Sequence, residues 1–458
     1  MGTELISKSD DMIKDLLNIN LSKLKDNGKA LKNNVQHIEE ILNNLDINKE
    51  YNKYLSLSCI YGAFLGDSIG SGCEFLKESP SNHKFIFSKK RIFKPGEITD
   101  DSEMALSAAF AYIDSLNNHY SRIQDYLYFY FCLWRFSNPK DIGNTTSAAL
   151  KHWNGEDITE TKFNPEEVIR NNWSSLANGA LMRISTFIVY YYYKKLDKLY
   201  LIIPMCFTQN NNDVKLNDDI LNLYHDIYLE VYKNVQITHP NYENGISCAV
   251  FTLLVLVGMI TKNTKKIYSL FKEISKSSKF LDIHKEKEII DYAKNAQKMY
   301  NEIISDIESG KHISVYKHMG YYIHAFKLSI YFLHKYPDMS KNKDKNLYYE
   351  IMSEICDKGG DTDTNCAIVG TLIGPLIGYK NFKKDLFKIF IRYIPPKRTQ
   401  FISAFIYEYV NYLEQKILNQ GKNQIKSEKI KDNKNFHYTA FLMIKEFLNE
   451  NKYGTEKK

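Results

Sequence analysis

The sequence predicts an all-α protein, and three observations predict it. Apolar residues recur at three- and four-residue steps wherever a period is visible, as in Ile13, Leu16, Leu17, Leu21 and Leu24. Strand-like alternation is weak: the run Val189–Tyr193 has β-propensity but lies inside a longer helical pattern. Alternating strand–helix units with glycine-rich phosphate loops are absent from the sequence.

Taken in order, residues 10–46 carry an amphipathic helical pattern, broken at Asn27-Gly28 and resumed from Val35 to Leu45, which predicts a helical N-terminal extension over 1–51. From Leu55 glycines appear and the apolar fraction climbs, and glycine-rich turns alternate with apolar helices until about Tyr379. This stretch, 52–380, is the predicted central domain. Inside it the longest apolar run, Ile246–Ile260, reads as a buried helix too short to span a bilayer. The stretch 261–318, rich in Lys, Ser, Ile and Glu, reads as an insertion. Residues 382–418 and 437–450 are again amphipathic, separated by Lys-rich 421–435, and predict a helical C-terminal extension over 381–458. No internal repeat of fixed period is present.

Composition narrows the function. The chain has 458 residues, 44% hydrophobic and 25% charged, as ordinary soluble globular proteins do. Its 61 Lys+Arg against 54 Asp+Glu leave a charge of +7. The basic residues sit largely in Lys/Asn-rich runs such as 341–345 that read as solvated faces, so no direct nucleic-acid binding is expected. Seven cysteines without a CxxC pair argue against a disulfide framework or a zinc site and for a reduced, cytoplasmic setting. The N-terminus is too polar for a secretory signal, and Ile6 departs from the myristoylation pattern, so no membrane association is expected. A monomer is expected.

Two segments carry the chemistry. Thr99-Asp100-Asp101-Ser102-Glu103 leads into an apolar, small-residue stretch from Met104 to Ala111, and Gly360-Asp361-Thr362-Asp363-Thr364 leads into another from Asn365 to Gly374. Each alone reads equally as helix capping, since Asp and Thr are favoured caps and acids in a first turn complement the macrodipole. Asp-Asp pairs also occur at Asp10-Asp11 and Asp218-Asp219. Together they read as a candidate dimetal site. Hard divalent cations want oxygen ligands, and carboxylates at helix starts are expected to stay ionised. Alanine and glycine after both clusters would let the two helices approach closely. Two metals about 4 Å apart can then position a nucleophile.

Further motifs bring in a resemblance. Gly62-Ala-Phe-Leu-Gly-Asp-Ser-Ile-Gly70 followed by Glu74 resembles the N-terminal signature of the ADP-ribosylglycohydrolase family. The two acidic segments are similar to that family's metal motifs. Between them, Asp141-Ile-Gly-Asn-Thr-Thr-Ser-Ala-Ala149, Asn178-Gly-Ala-Leu-Met-Arg183 and Thr238-His239-Pro240-Asn241 follow in the family's order. The resemblance covers roughly residues 55–380. It implies a compact orthogonal multi-helix fold and a hydrolase that releases ADP-ribose from arginine or serine side chains of proteins or from small conjugates. It also implies two Mg²⁺ ions, with Mn²⁺ as the alternative.

By this resemblance Thr99, Asp100 and Asp101 would hold one metal and Asp361, Asp363 and Thr364 the other, with Asp363 bridging. The metals would grip the distal ribose. Glu74, on a glycine-rich loop expected to move, would sit over the scissile bond, and Asp100 and Asp363 would share in the chemistry. Gly143 and Asn144 would start a helix whose N–H groups approach a phosphate, and Ser175, Asn178, Gly179 and His239 would line the diphosphate and ribose. Met182 reads as core, Arg183 as the partner of a buried acid, and Asp67 as either a brace or a ligand contact. Two other enzyme readings fail on the residues. An isoprenoid synthase needs an acid where Met104 stands, and a His-Asp phosphohydrolase finds only the isolated pair His225-Asp226. The remaining rival is a member that binds ADP-ribose or a partner without hydrolysis.

Overall fold

The three- and four-residue apolar spacing becomes helix throughout. The computed structural model describes residues 49–77, 93–94, 96–117, 121–207, 214, 216–342, 344–391 and 402–420. Among them there is no strand, only two isolated bridges, Ala177 to Tyr321 and Phe207 to Val214. The chain divides into two units, 1–50 and 51–458, and the fold is that of the second. The helical patterns over 10–46 and 437–450, and the Lys-rich stretch 421–435, lie outside the described residues.

The first helices are α1 (Lys49–Gly70), α2 (Asp100–Asn117), α3 (Ile123–Phe136), α4 (Asn144–Ala149), α5 (Pro165–Asn172) and α6 (Ser185–Lys194). Next come α7 (Leu196–Met205), α8 (Asp218–Val235), α9 (Tyr242–Thr261), α10 (Thr264–Ile274), α11 (Ser278–Asp282) and α12 (Lys287–Glu308). The last are α13 (Tyr322–Lys335), α14 (Leu347–Lys358), α15 (Thr362–Ile377), α16 (Lys384–Ile391) and α17 (Ile402–Gln420). The run Val189–Tyr193 lies in α6, where burial of all five residues outweighs their β-propensity. Asparagine side chains cap α5, α8, α9 and α10, each accepting from an N–H two or three residues on.

Helix α9 is the centre of the core. It has no polar face because α7, α8, α10, α12 and α15 surround it. At 20 residues it is longer than the apolar run suggested, and by length and composition alone it would reach across a bilayer; 89% of its most apolar window is buried inside the fold. Helices α10 and α12, from the stretch 261–318, pack on α9 and α13 through Ile267, Leu270, Phe271 and Tyr300.

The tightest crossing joins α1 to α15. A Cβ on Gly62, Gly66 or Gly70 would lie 2.2–2.3 Å from a backbone oxygen of Gly370, Cys366 or Thr362, respectively. A Cβ on Gly370 or Gly374 would meet the Gly62 or Ser58 oxygen at 2.2 Å. The paired numbers fall as one chain rises, so the helices run antiparallel, backbone on backbone. Tyr348 Oη and Thr362 Oγ1 donate to the Gly62 and Gly70 carbonyls at 2.5 and 2.7 Å. The small residues after the two acidic segments were expected to bring α2 and α15 together. These helices do touch, but the intimate contact is made by α1, whose C-terminal end arrives at the start of α15.

Candidate functional site

Three chain segments meet where α1 ends. The turn after α1 carries Glu74, the first turn of α2 carries Asp100 and Asp101, and the start of α15 carries Asp361, Asp363 and Thr364. The Glu74 turn is tied rather than loose. Cys73 N donates to Gly70 O at 2.8 Å, Phe75 N to Gly360 O at 2.7 Å, and Gly360 N to Leu76 O at 3.0 Å. Gly360 needs its φ of +81° and its missing side chain there, because a Cβ would lie 2.9 Å from Val315 O.

Capping occupies the acids only in part: Asp363 Oδ1 accepts from Thr364 N at 2.9 Å. Asp67, from α1, takes the backbone N–H groups of Thr99 and Ser102 at the start of α2. The Asp361 side chain, at the N-cap of α15, accepts no capping bond from that helix. Carboxylate oxygens instead gather in two groups, each with its oxygens within 4.8 Å of one another: Asp67, Asp101 and Asp363, and Glu74, Asp361 and Asp363. Asp363 is common to both. Thr364 Oγ1 donates to Asp101 Oδ2 at 3.2 Å, linking the two helix starts. Asp101 Oδ1 is buried with no hydrogen-bond partner. A buried carboxylate oxygen left without a donor among other acids is a position that a cation can fill.

Electrostatics point the same way. Burial, then the charges of Asp141, Asp67 and Asp361, hold Asp100 well above the usual carboxylate range. Burial and the neighbouring acids raise Asp101 and Asp363 likewise. Burial pushes Asp67 up to about 6 against the pull of its hydrogen bonds from Ser102 and Thr99. The expectation that these carboxylates stay ionised is therefore corrected: without a cation, burial and mutual repulsion favour protons on them, because the helix-start field is weaker than desolvation.

Above this floor opens a cleft of about 800 Å³. Of the sequence-predicted residues, Glu74, Asp100, Asp361, Asp363, Thr364, Gly143, Asn144, Asn178, Gly179 and His239 border it. Thr99 and Asp101 are buried beneath it. Ser175 is half-exposed, its hydroxyl 2.9 Å from Oγ1 of Thr145, which borders the cleft, and its carbonyl accepts from Asn244. Gly143 and Asn144 do begin a helix, α4. Asn178 Nδ2 donates to Asp361 Oδ2 at 2.7 Å. His239 Nδ1 lies 2.7 Å from Thr238 Oγ1, and burial with the nearby Arg183 charge lowers it to about 3, so it is a neutral imidazole.

Arg183 differs from expectation. Its guanidinium donates to Gly179 O at 2.6 Å and to Asn234 Oδ1 and O at 3.0 and 3.1 Å, over the Phe131 ring. Two carbonyls and an amide satisfy its donors where an acid was anticipated, and it fixes the Gly179 turn from behind. Met182 is buried as expected and borders the cleft.

Sequence reasoning quoted Asp141 as the first residue of a motif and gave it no role, yet it borders the cleft and its charge acts on Asp100. Sequence reasoning missed the wall His318–Tyr321, held against the Asn178 loop by Asn178 N donating to Gly320 O at 2.9 Å and Tyr322 N to Leu176 O at 3.2 Å. No local pattern announces a pairing across that separation.

The family model described as ADP-ribosylglycohydrolase matches residues 52–390. The chain is 26% identical over 339 residues to a protein of Acanthamoeba polyphaga mimivirus whose name provisionally assigns it as an ADP-ribosyl glycohydrolase, covering 70% of this chain and 86% of that relative. It is 26% identical over 134 residues to the Rhodospirillum rubrum glycohydrolase named for ADP-ribosyl-dinitrogen reductase, covering 28% of this chain and 42% of that one. A solved ADP-ribosylglycohydrolase-related protein complex aligns at a TM-score of 0.49 and 14% identity, over 80% of this chain and 99% of that one.

Proposed function

Because the chain belongs to the ADP-ribosylglycohydrolase family, a family of hydrolytic enzymes, we propose that it cleaves the glycosidic bond joining ADP-ribose to an arginine or serine side chain or to a small acceptor. The observation that carries this reading is the convergence of Glu74, Asp100, Asp361 and Asp363 on one cleft.

Thr99, Asp100 and Asp101 on one side, and Asp361, Asp363 and Thr364 on the other, would hold two Mg²⁺ or Mn²⁺ ions; both metals accept such an oxygen-rich donor set. When bound, divalent cations supply neutralisation of the acidic floor and Lewis-acid stabilisation of developing negative charge. The remaining work belongs to the chain. Glu74 overhangs the acidic floor, where a carboxyl group can give a proton to the departing acceptor atom and take one from water. Gly143 and Asn144 at the start of α4 and Gly179 in its turn border the cleft, where backbone N–H groups would suit a diphosphate and ribose. Neutral His239 adds a hydrogen-bonding ring without a charge. The cleft is within the size range of sites that enclose a nucleotide-sized ligand. A reducing, intracellular setting accords with seven cysteines that are all buried free thiols.

The test is release of free ADP-ribose from arginine- and serine-modified peptides, in Mg²⁺ and in EDTA. Mg²⁺-dependent release from one peptide supports the reading and names the linkage. No release from either would leave a small conjugate or a non-catalytic binder, and release of ADP-ribose from small-acceptor conjugates, set beside ADP-ribose affinity in calorimetry, separates the two.

A further inference from the structure

Asp67 stands in the acidic floor with its oxygens close to those of Asp101 and Asp363, so proximity alone makes it a candidate metal ligand. We propose that it is a positioning residue instead: it clamps the Thr99–Asp101 half of the site to α1, and α1 sets the distance from that half to the Asp361–Thr364 half. The inference rests on the metal reading proposed above and adds to it the residue and helix that hold the two halves in register.

Hydrogen bonding separates the two roles. Asp67 Oδ1 accepts from Thr99 Oγ1 at 2.8 Å, and Oδ2 accepts from Thr99 N, Ser102 N and Ser102 Oγ at 3.0, 3.2 and 2.5 Å. Thr99 N also lies 3.2 Å from Oδ1. Four donors engage a carboxylate that offers about four lone-pair sites. Asp101 Oδ1, by contrast, has no partner at all. A cation would be drawn first to the oxygen that lacks donors, since ligation through Asp67 Oδ2 would compete with its bonds from Thr99 N, Ser102 N and Ser102 Oγ, and ligation through Oδ1 with its bond from Thr99 Oγ1.

The same bonds orient Thr99. Its hydroxyl has one proton, and Asp67 Oδ1 is the nearer acceptor, at 2.8 Å against 3.1 Å for Asp101 Oδ2. Donation to Asp67 turns the Thr99 lone pairs toward Asp101, leaving oxygens facing one another as they do around a cation. Meanwhile Gly66, the residue before Asp67, lies against the Cys366 backbone, and Gly70 lies against Thr362. One turn of α1 thus grips both helix starts, by a carboxylate on one side and by missing side chains on the other.

The decisive experiment compares Asp67→Asn, Ser102→Ala and Asp101→Asn in the full chain, by thermal melts in EDTA and by Mn²⁺ titration calorimetry. In EDTA a brace and a ligand differ in sign. Asp67→Asn should melt about 2–4 °C or more lower, and Ser102→Ala, which removes a donor to Asp67 and no carboxylate charge, should melt lower too. Asp101→Asn should melt at the same temperature or higher, because it relieves crowding. In calorimetry Asp67→Asn should keep the wild-type stoichiometry while losing about 10–100-fold in Mn²⁺ affinity, a loss that a merely structural residue would not cause below its melting range. An unchanged or raised EDTA melt for Asp67→Asn, loss of one metal equivalent, or a lower melt with full Mn²⁺ affinity would each overturn the proposal. A wild-type chain that binds no Mn²⁺ would sink the metal reading and the positioning role with it, while the EDTA melts would still report whether Asp67 braces α2.

Discussion

Asp363 is the residue on which the two acidic groups depend, since its carboxylate belongs to both and is buried between Asp361, Asp101 and Glu74. Asp363→Ala should abolish divalent-metal binding and ADP-ribose release while the helical circular dichroism is retained. Activity at the wild-type level would remove the dimetal assignment. Glu74 offers a different test, because it belongs to the turn over the floor and would act on protons. Glu74→Ala should lower kcat about 10²–10⁴-fold while ADP-ribose affinity changes far less; an unchanged rate constant would take Glu74 out of the chemistry. At this scale the sequence showed which residues could carry the chemistry. It left Asp67 open between a brace and a ligand contact, because hydrogen-bond saturation is a property of neighbours from other helices.

The element that decides the site is the crossing of α1 and α15. Glycines every fourth residue, Gly62, Gly66 and Gly70, form a bare stripe, and Gly370 and Gly374 answer it. Gly66→Ala would put a methyl 2.3 Å from the Cys366 carbonyl oxygen, which is backbone and cannot swing aside. The helices would have to separate. The expected cost is about 1–3 kcal/mol or more, read as a lower melting temperature, and metal affinity should fall with it as the two helix starts part. A variant that melts and binds metal as the wild type does would show that the contact tolerates a side chain. The small residues after the two acidic segments, Gly370 and Gly374 among them, were visible in the sequence, and their close-approach role was anticipated. Their partner was not: α1 and α2 both enter the region from far along the chain, and only packing chose between them.

For the whole molecule, the buried acids tie stability to pH and to metal. Asp100, Asp101 and Asp363 are held above the carboxylate range, and Asp67 is held at about 6. In the metal-free chain the folded state binds these protons more tightly than the unfolded state does. Their contribution to stability is therefore full at low pH and lost as pH rises through the raised values. His239 and His284, lowered to about 3 and 4 mainly by burial, run the other way, losing stability as pH falls below the ordinary histidine range of about 6.5. Above about pH 7 the histidines are silent. The gap between melts in saturating Mg²⁺ and in EDTA should therefore widen as pH rises through the raised carboxylate values, from about 6 for Asp67 upward, since the histidines contribute alike to both. A gap that does not change with pH would mean that the acids ionise without penalty.

What the sequence by itself determined is the helical class, the two acidic helix starts and the buried apolar helix around Ile246–Ile260; the cleft motifs were implied by the family resemblance. Periodicity, capping chemistry and residue type are local properties and act over a few positions. The tertiary structure decided the rest. It gave Arg183 carbonyl partners in place of an acid and brought Asp141 and the His318–Tyr321 wall to the edge of the cleft. It also filled the hydrogen-bonding capacity of Asp67 while leaving Asp101 wanting. Each of these depends on which distant backbone arrives beside a side chain, and burial, charge repulsion and hydrogen-bond satisfaction take their values only once it has.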